Sequence, residues 1–151
     1  GSRLHDKLAA LGAQSLLDGL HNLPALQQRA TAQHHEDATY AHKLEKAQAA
    51  VDWQQSAAQI EYLVRAFNSW PVAYSELNGV RVRIWQARTN DQAHSTLPGT
   101  IINSTADGIE VACGTGRLIL ETLQLPGAKA LAVGAILNAK QDLFAAGQQF
   151  S

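Results

Sequence analysis

Apolar residues recur at helical spacing up to about residue 71 and alternate at the two-residue period of strands beyond it. Residues 4–23 read as helix, but the apolar stripe moves. Leu4, Leu8 and Leu11 share one face, whereas Leu16, Leu17, Leu20 and Leu23 lie well round the cylinder. The change falls at Gly12–Ala13, so this helix packs against two partners or breaks into two pieces there. Residues 27–37 are polar, hold no periodic apolar positions and read as a linker. Over 39–53 a short amphipathic pattern puts Tyr40, Leu44 and Ala47 on one side. Ser56–x–x–Gln59 is a capping-box signal. Ala57, Ile60, Val64 and Phe67 follow at helical spacing, and Trp70–Pro71 ends the element.

Past Pro71, Ala73, Ser75 and Leu77 alternate with Val72, Tyr74 and Glu76, and Asn78–Gly79 is the dipeptide of a type I′ hairpin turn. A two-residue loop pairs Leu77 with Val80, Glu76 with Arg81, Tyr74 with Arg83 and Val72 with Trp85. Ala73, Leu77, Val80, Val82 and Ile84 then form the predicted core face. Val72, Tyr74, Glu76, Arg81, Arg83 and Trp85 form the other, which is basic and aromatic. Residues 88–98 read as a polar loop, 100–104, 109–113 and 117–125 as strands, and roughly 132–144 as a last helix presenting Val133, Ile136, Leu137 and Phe144. Short strands of this kind with an end helix predict a mainly β fold with flanking helices, a small partly open barrel of OB-like type.

The 151 residues are 46% hydrophobic and 17% charged, enough for one core plus an appendage. Without a membrane-length apolar run or a signal pattern, the sequence predicts a soluble cytoplasmic protein with no membrane partner. One cysteine excludes an internal disulfide framework and fits a reducing compartment. Gly1–Ser2 reads as an expression scar, and a start lacking Met suggests a fragment. Residues 53–151 carry 7 Lys/Arg and 7 Asp/Glu, and residues 1–52 carry 5 against 6. A polyanion surface must therefore come from local sorting of charges.

Arg81 and Arg83, with Tyr74 and Trp85, can contact phosphates and stack on a base. The same residues also make an ordinary solvated face, with Glu76 across from Arg81 and Tyr74 as a cation–π neighbour of Arg83. Arg65 has Glu61 one turn back, the spacing of a surface ion pair. Gly114–x–Gly116 joins two strands and opens no helix, unlike a phosphate-binding loop. Cys113 continues the inward face of its strand. His34 and His35, adjacent in a linker, do not converge on a metal.

A series of short motifs, in this order and spacing, carries a resemblance: Thr39–Tyr40–Ala41–x–Lys43, Lys46, Val51–Asp52–Trp53, Arg65–Ala66–Phe67–Asn68–x–Trp70–Pro71, Arg83–Ile84–Trp85, Pro98–Gly99–Thr100–Ile101, Asp107–Gly108–Ile109–x–Val111–Ala112–Cys113–Gly114 and Leu123–Gln124. Together they resemble the C-terminal domain of the methionyl-tRNA formyltransferase family. The resemblance implies an OB-like barrel over 54–151, a linker over 27–53 and, over 3–26, the terminal helix of a catalytic domain upstream. It implies an enzyme that moves a formyl group from formyl-tetrahydrofolate to the amino group of initiator methionyl-tRNA. This part would hold the acceptor arm through its backbone, with Lys43, Lys46, Arg65, Arg81, Arg83 and Lys129 as tRNA contacts.

The family's catalytic Asn, His and Asp lie upstream. No catalytic residue, cofactor or metal is therefore expected here, and the fragment alone should be inactive. Its partners would be the tRNA and its own catalytic domain, and an uncovered leucine stripe predicts self-association or displacement of the first helix. Three departures stand out: Ser69 where the family usually has Pro, Ala128 beside Lys129 where two basic residues are common, and Gly134 with no Ser/Asp start to the last helix. Two alternatives stay open: a sugar or folate formyltransferase or hydrolase, and an interaction barrel without a nucleic-acid ligand.

Overall fold

A computed structural model describes residues 2–151, with side chains from Leu4 onward. The chain divides into two compact units, one ending at Leu44 and the other running from Glu45 to Ser151.

In the first unit, α1 (Ser2–His21) crosses Gly12 without interruption, so of the two outcomes offered for the moving stripe, a break at Gly12–Ala13 does not occur. A single glycine costs a helix only about 1 kcal/mol, and nothing crowds this one. The break comes at Asn22, whose backbone and side-chain N–H groups both donate to the Asp18 carbonyl. Pro24 then sits in the first turn of α2 (Leu23–Gln28), where its missing N–H has no intrahelical partner to lose. The expected linker holds a 3₁₀ turn at His35–Asp37. The short amphipathic pattern over 39–53 forms no α-helix: Tyr40 is 85% exposed and the segment is extended, with a 3₁₀ turn at Lys46–Ala49. A helix this short gains little without a surface to cover its apolar face, and Tyr40 and Leu44 stay largely or half exposed.

The second unit begins with a strap pinned to the sheet, Val51 N–H donating to the Tyr74 carbonyl at 2.8 Å. α3 (Ala57–Phe67) follows with the expected cap. Ser56 Oγ accepts from the Gln59 N–H and Gln59 Oε1 accepts from the Ser56 N–H. Ala57, Ile60 and Val64 face inward. β1 (Ala73–Leu77) and β2 (Val80–Asn90) pair in the expected register, with Asn78 and Gly79 at φ 51° and 76° as a type I′ turn requires.

Two positions of the hairpin differ from expectation. Val72 is buried rather than outward, because its φ of 70° turns the chain before strand alternation begins. Val80, beside the turn, is only partly covered, and Ser75 takes a place in the interior instead. The Ser75 hydroxyl accepts from Trp53 Nε1 and donates to the Ser151 carbonyl, at 2.8 and 2.7 Å.

β2 runs through a register irregularity at Gln86 to Asn90 and so takes up the start of the predicted loop. β3 (Ile101–Thr105), β4 (Gly108–Ala112), β5 (Arg117–Gln124), the two-residue β6 (Leu131–Ala132) and α4 (Val133–Lys140) complete the order. The strands are antiparallel in the order β1-β2-β5-β4-β3, with β6 on β5. The last residues bridge the two edge strands: Phe150 pairs with Leu77 and Gln149 with Thr100. The sheet thereby closes into the partly open barrel expected, around Leu77, Val82, Ile84, Ile109, Val111, Leu118, Leu120, Leu123 and Phe144.

Gly114 has a structural task. Its N–H donates to the carbonyls of Trp53 and Gln55, and a Cβ there would lie 1.8 Å from the Gln54 carbonyl oxygen. The segment leading into α3 docks on that bare backbone.

Candidate nucleic-acid interface

The outward face of the β1–β2 hairpin borders two shallow grooves. One, of about 450 Å³, is lined by Lys46, Ser69, Trp70, Pro71, Tyr74, Arg81, Arg83, Trp85 and Gln124. The other, of about 570 Å³, lies between Arg81, Arg83 and the turn at Pro126–Gly127. Three elements position the first. The hairpin places Arg81 and Arg83 two residues apart on one side of β2. The strap fixed by the Val51–Tyr74 bond carries Lys46. The link from α3 to β1 carries Trp70, and the Asn68 side-chain amide holds it by donating to the Trp85 carbonyl at 2.8 Å.

Most arginines of the barrel are paired. Arg65 meets Glu61, Arg81 meets Glu76, Arg88 meets Glu121 and Arg117 meets Glu110. The exposed pairs, such as Arg81–Glu76 and Arg88–Glu121, add about 0–1 kcal/mol each. Their effect on a polyanion is larger, because each carboxylate cancels its partner's field. Arg83 escapes this. Its partners across both strands are neutral, Tyr74 on β1 and Gln124 on β5. Its diagonal neighbour Glu76 is engaged by Arg81, whose guanidinium also lies 4.4 Å from the Tyr74 ring centroid. The expected Tyr74–Arg83 cation–π pair is therefore replaced by Tyr74–Arg81. Among the described residues Arg83 has no ion-pair partner, and neither has Lys46.

Of the six predicted contacts, the structure brings together Lys46, Arg81 and Arg83. Lys129 lies just beyond the Gly127 turn, on a separate hollow it shares with Leu131 and Lys140. Arg65 sits on the outer side of α3, paired with Glu61 and 5.0 Å from the Tyr62 centroid, and lines neither groove. Lys43 belongs to the other unit. Trp85 is tied by Nε1 to Gln124 Oε1.

From the sequence alone Trp70 reads only as a helix-ending marker and Gln124 as a motif letter. The signal available was Trp70's place between a helix-terminating Asn68 and Pro71. Cys113 is fully buried, and burial pushes its thiol up to about 12, which leaves it inert as a nucleophile. Among the described residues no three His, Cys, Asp or Glu side chains converge as a metal site, and no helix is long and apolar enough to cross a membrane.

Residues 43–141 match the family described as Formyl transferase, C-terminal domain. The chain is 49% identical over 144 residues to a methionyl-tRNA formyltransferase of Stenotrophomonas maltophilia (strain R551-3). It is 50% identical over 144 residues to one of Xanthomonas campestris pv. campestris (strain 8004). Each match covers 95% of this chain and 47% of the relative, so the chain spans about half the length of the curated relatives it matches. Among solved structures, a variant of HypX from Aquifex aeolicus superposes with a TM-score of 0.62 at 17% identity, covering 85% of this chain and 23% of that one. HypX in complex with tetrahydrofolic acid gives 0.60 at 18%, covering 84% and 22%. At such identity these two speak for the fold alone.

Proposed function

The chain belongs to the formyl transferase C-terminal domain family, and from that premise we propose that it is the tRNA-gripping part of a methionyl-tRNA formyltransferase. The observation that carries this reading is identity of about half, along nearly the whole chain, to relatives bearing that name. The full-length cytoplasmic enzyme transfers a formyl group from formyl-tetrahydrofolate to the amino group of initiator methionyl-tRNA. The co-substrate and the reacting atoms belong to an upstream catalytic domain, and the present residues bind neither. Residues 3–26 close that domain, 27–53 connect it and 54–151 hold the acceptor arm. Lys43, Lys46, Arg65, Arg81, Arg83 and Lys129 supply the candidate contacts, with Arg83 and Lys46 foremost because they line one groove and, among the described residues, neither has an ion-pair partner. Holding the tRNA is a catalytic contribution, since a misplacement of about 1 Å can cost roughly a hundredfold in rate.

Phosphate contacts of this kind make affinity depend on salt. In a filter-binding titration, initiator methionyl-tRNA should bind at about 50 mM salt and weaken roughly tenfold or more by about 200 mM. No binding at the lower salt, or binding indifferent to salt, contradicts the reading. The purified chain should show no formyl transfer. With its leucine faces uncovered it should self-associate, and a strictly monomeric species in light scattering counts against that part.

A further inference from the structure

We propose that the groove bordered by Trp70, Arg83 and Lys46 seats a single unpaired ribonucleotide, its base on the Trp70 indole and its phosphates on the two cations. This inference rests on the RNA-binding reading above and sharpens it. The face then selects RNA that offers a nucleotide outside a helix, at a bulge or a single-stranded end, over a continuous duplex.

The aromatic rings of the barrel differ in what they have left to offer. Trp53 packs against Phe150, with centroids 5.3 Å apart. Tyr62 lies under Arg65 and Tyr74 under Arg81. Trp85 is partly buried, with its N–H bonded to Gln124. Trp70 is 55% exposed and, among the described residues, touches no ring and no cation. A large indole surface left in water is unfavourable and is offset when a flat apolar partner covers it.

The backbone that carries the ring is anchored on both sides of it. Asn68 ties the link to β2, and Val72 N–H donates to the Phe67 carbonyl at 3.0 Å. An anchored backbone removes part of the ordering cost of stacking on that ring. Of the three cations that line its groove, Lys46, Arg81 and Arg83, only Arg81 has a carboxylate partner among the described residues. Ser69, on the same rim, has a hydroxyl with no hydrogen-bond partner among the described residues and can reach a ribose oxygen.

A hollow of about 450 Å³ is on the scale of a pocket for one small ligand. It matches a nucleotide rather than a helix. Bases inside an RNA duplex present only their edges, and a face becomes available only where a base is unstacked. A stacked base on an aromatic ring is a contact tolerant of sequence, with charge on the flanking phosphates.

The test uses the chain itself and two RNA duplexes of the same sequence, each annealed from two separate strands, one blunt and one carrying a single-stranded 3′ tail. The tailed RNA should bind about tenfold or more tighter and quench tryptophan fluorescence. Trp70→Ala should weaken the tailed RNA roughly 5- to 100-fold, abolish the quench and leave the blunt RNA unchanged. Trp70→Phe, which keeps a stacking face, should restore most of the affinity and guards against a folding artefact. Equal binding of the two RNAs by the wild-type chain overturns the seat, as does a Trp70→Ala effect shared by both. If Trp70→Ala is silent while Arg83→Ala weakens both RNAs, the seat falls and the RNA-binding reading stands. If neither RNA binds at low salt, both fall.

Discussion

Residues 2–44 and 45–151 are written in the same amphipathic language, yet only the second finds its own partner. In the barrel, Ile60 and Val64 of α3 meet the inner face of the sheet and are about as buried as the strands they cover. In α1 and α2, Leu4, Leu8, Leu11, Leu16, Leu17, Leu20, Leu23 and Leu26 remain 44–63% exposed. Hydrophobic periodicity therefore reports which face of an element wants cover, while the cover itself is a separate fact. The same contrast holds for charge. Arg81 and Arg83 are neighbours on one strand, but one is engaged by Glu76 and the other is free.

The difference between the units should appear first in stability. All three tryptophans, at positions 53, 70 and 85, lie in the barrel, so denaturation followed by their fluorescence reports that unit. Leu120→Ala, at a fully buried site, should cost about 2–5 kcal/mol. Leu16→Ala should move the same transition by less than about 0.5 kcal/mol. Comparable losses from the two would contradict the distinction.

Glycines sharpen it at the level of backbone. Gly114→Ala should cost about 1–3 kcal/mol, since the new methyl overlaps the Gln54 carbonyl and the docked segment must shift. Gly12→Ala, with nothing near it in a helix interior, should instead raise helicity and favour α1 by about 1 kcal/mol. Circular dichroism and melting of the two variants check both signs.

The barrel interior also disfavours charge. Burial raises the Cys113 thiol from 9.0 in the unfolded chain to about 12 in the folded one. Below pH 9 both states keep the proton. Between pH 9 and about 12 only the folded state does, so stability falls as pH rises through that window, by at most about 1.4 kcal/mol per unit. Cys113→Ala should remove that slope from the difference between variant and parent, and a slope that persists unchanged would place its origin elsewhere.

Where local rules sufficed, the fold was legible. The Asn78–Gly79 turn set the hairpin register, and the Ser56–Gln59 box set the start of α3, because each rests on hydrogen bonds between residues close in sequence. Features that depend on distant partners were not readable. The closure of the barrel by residues 148–151 carries no periodic signature, and β6 is two residues long. β2 outran its expected end because Arg88 and Asn90 are polar yet pair with β5. Tyr74 was assigned the wrong arginine for a related reason. Register fixes which Cα atoms face each other, whereas a long guanidinium arm also reaches the diagonal position. Arg83's freedom depended on Glu76 being occupied by Arg81 and on Gln124 arriving from β5, and the second of these is a tertiary fact.

In the proposed complex, uncancelled cations, Arg83 before all others, carry the electrostatic contact with RNA. The most direct measurement is the salt dependence of tRNA affinity for Arg83→Ala beside Arg88→Ala, whose arginine is already matched by Glu121 at 2.9 Å. Arg83→Ala should weaken binding and reduce the log–log salt slope by about one, while Arg88→Ala leaves the slope where it was. Equal slopes for the two variants, or a larger drop for Arg88→Ala, would contradict it.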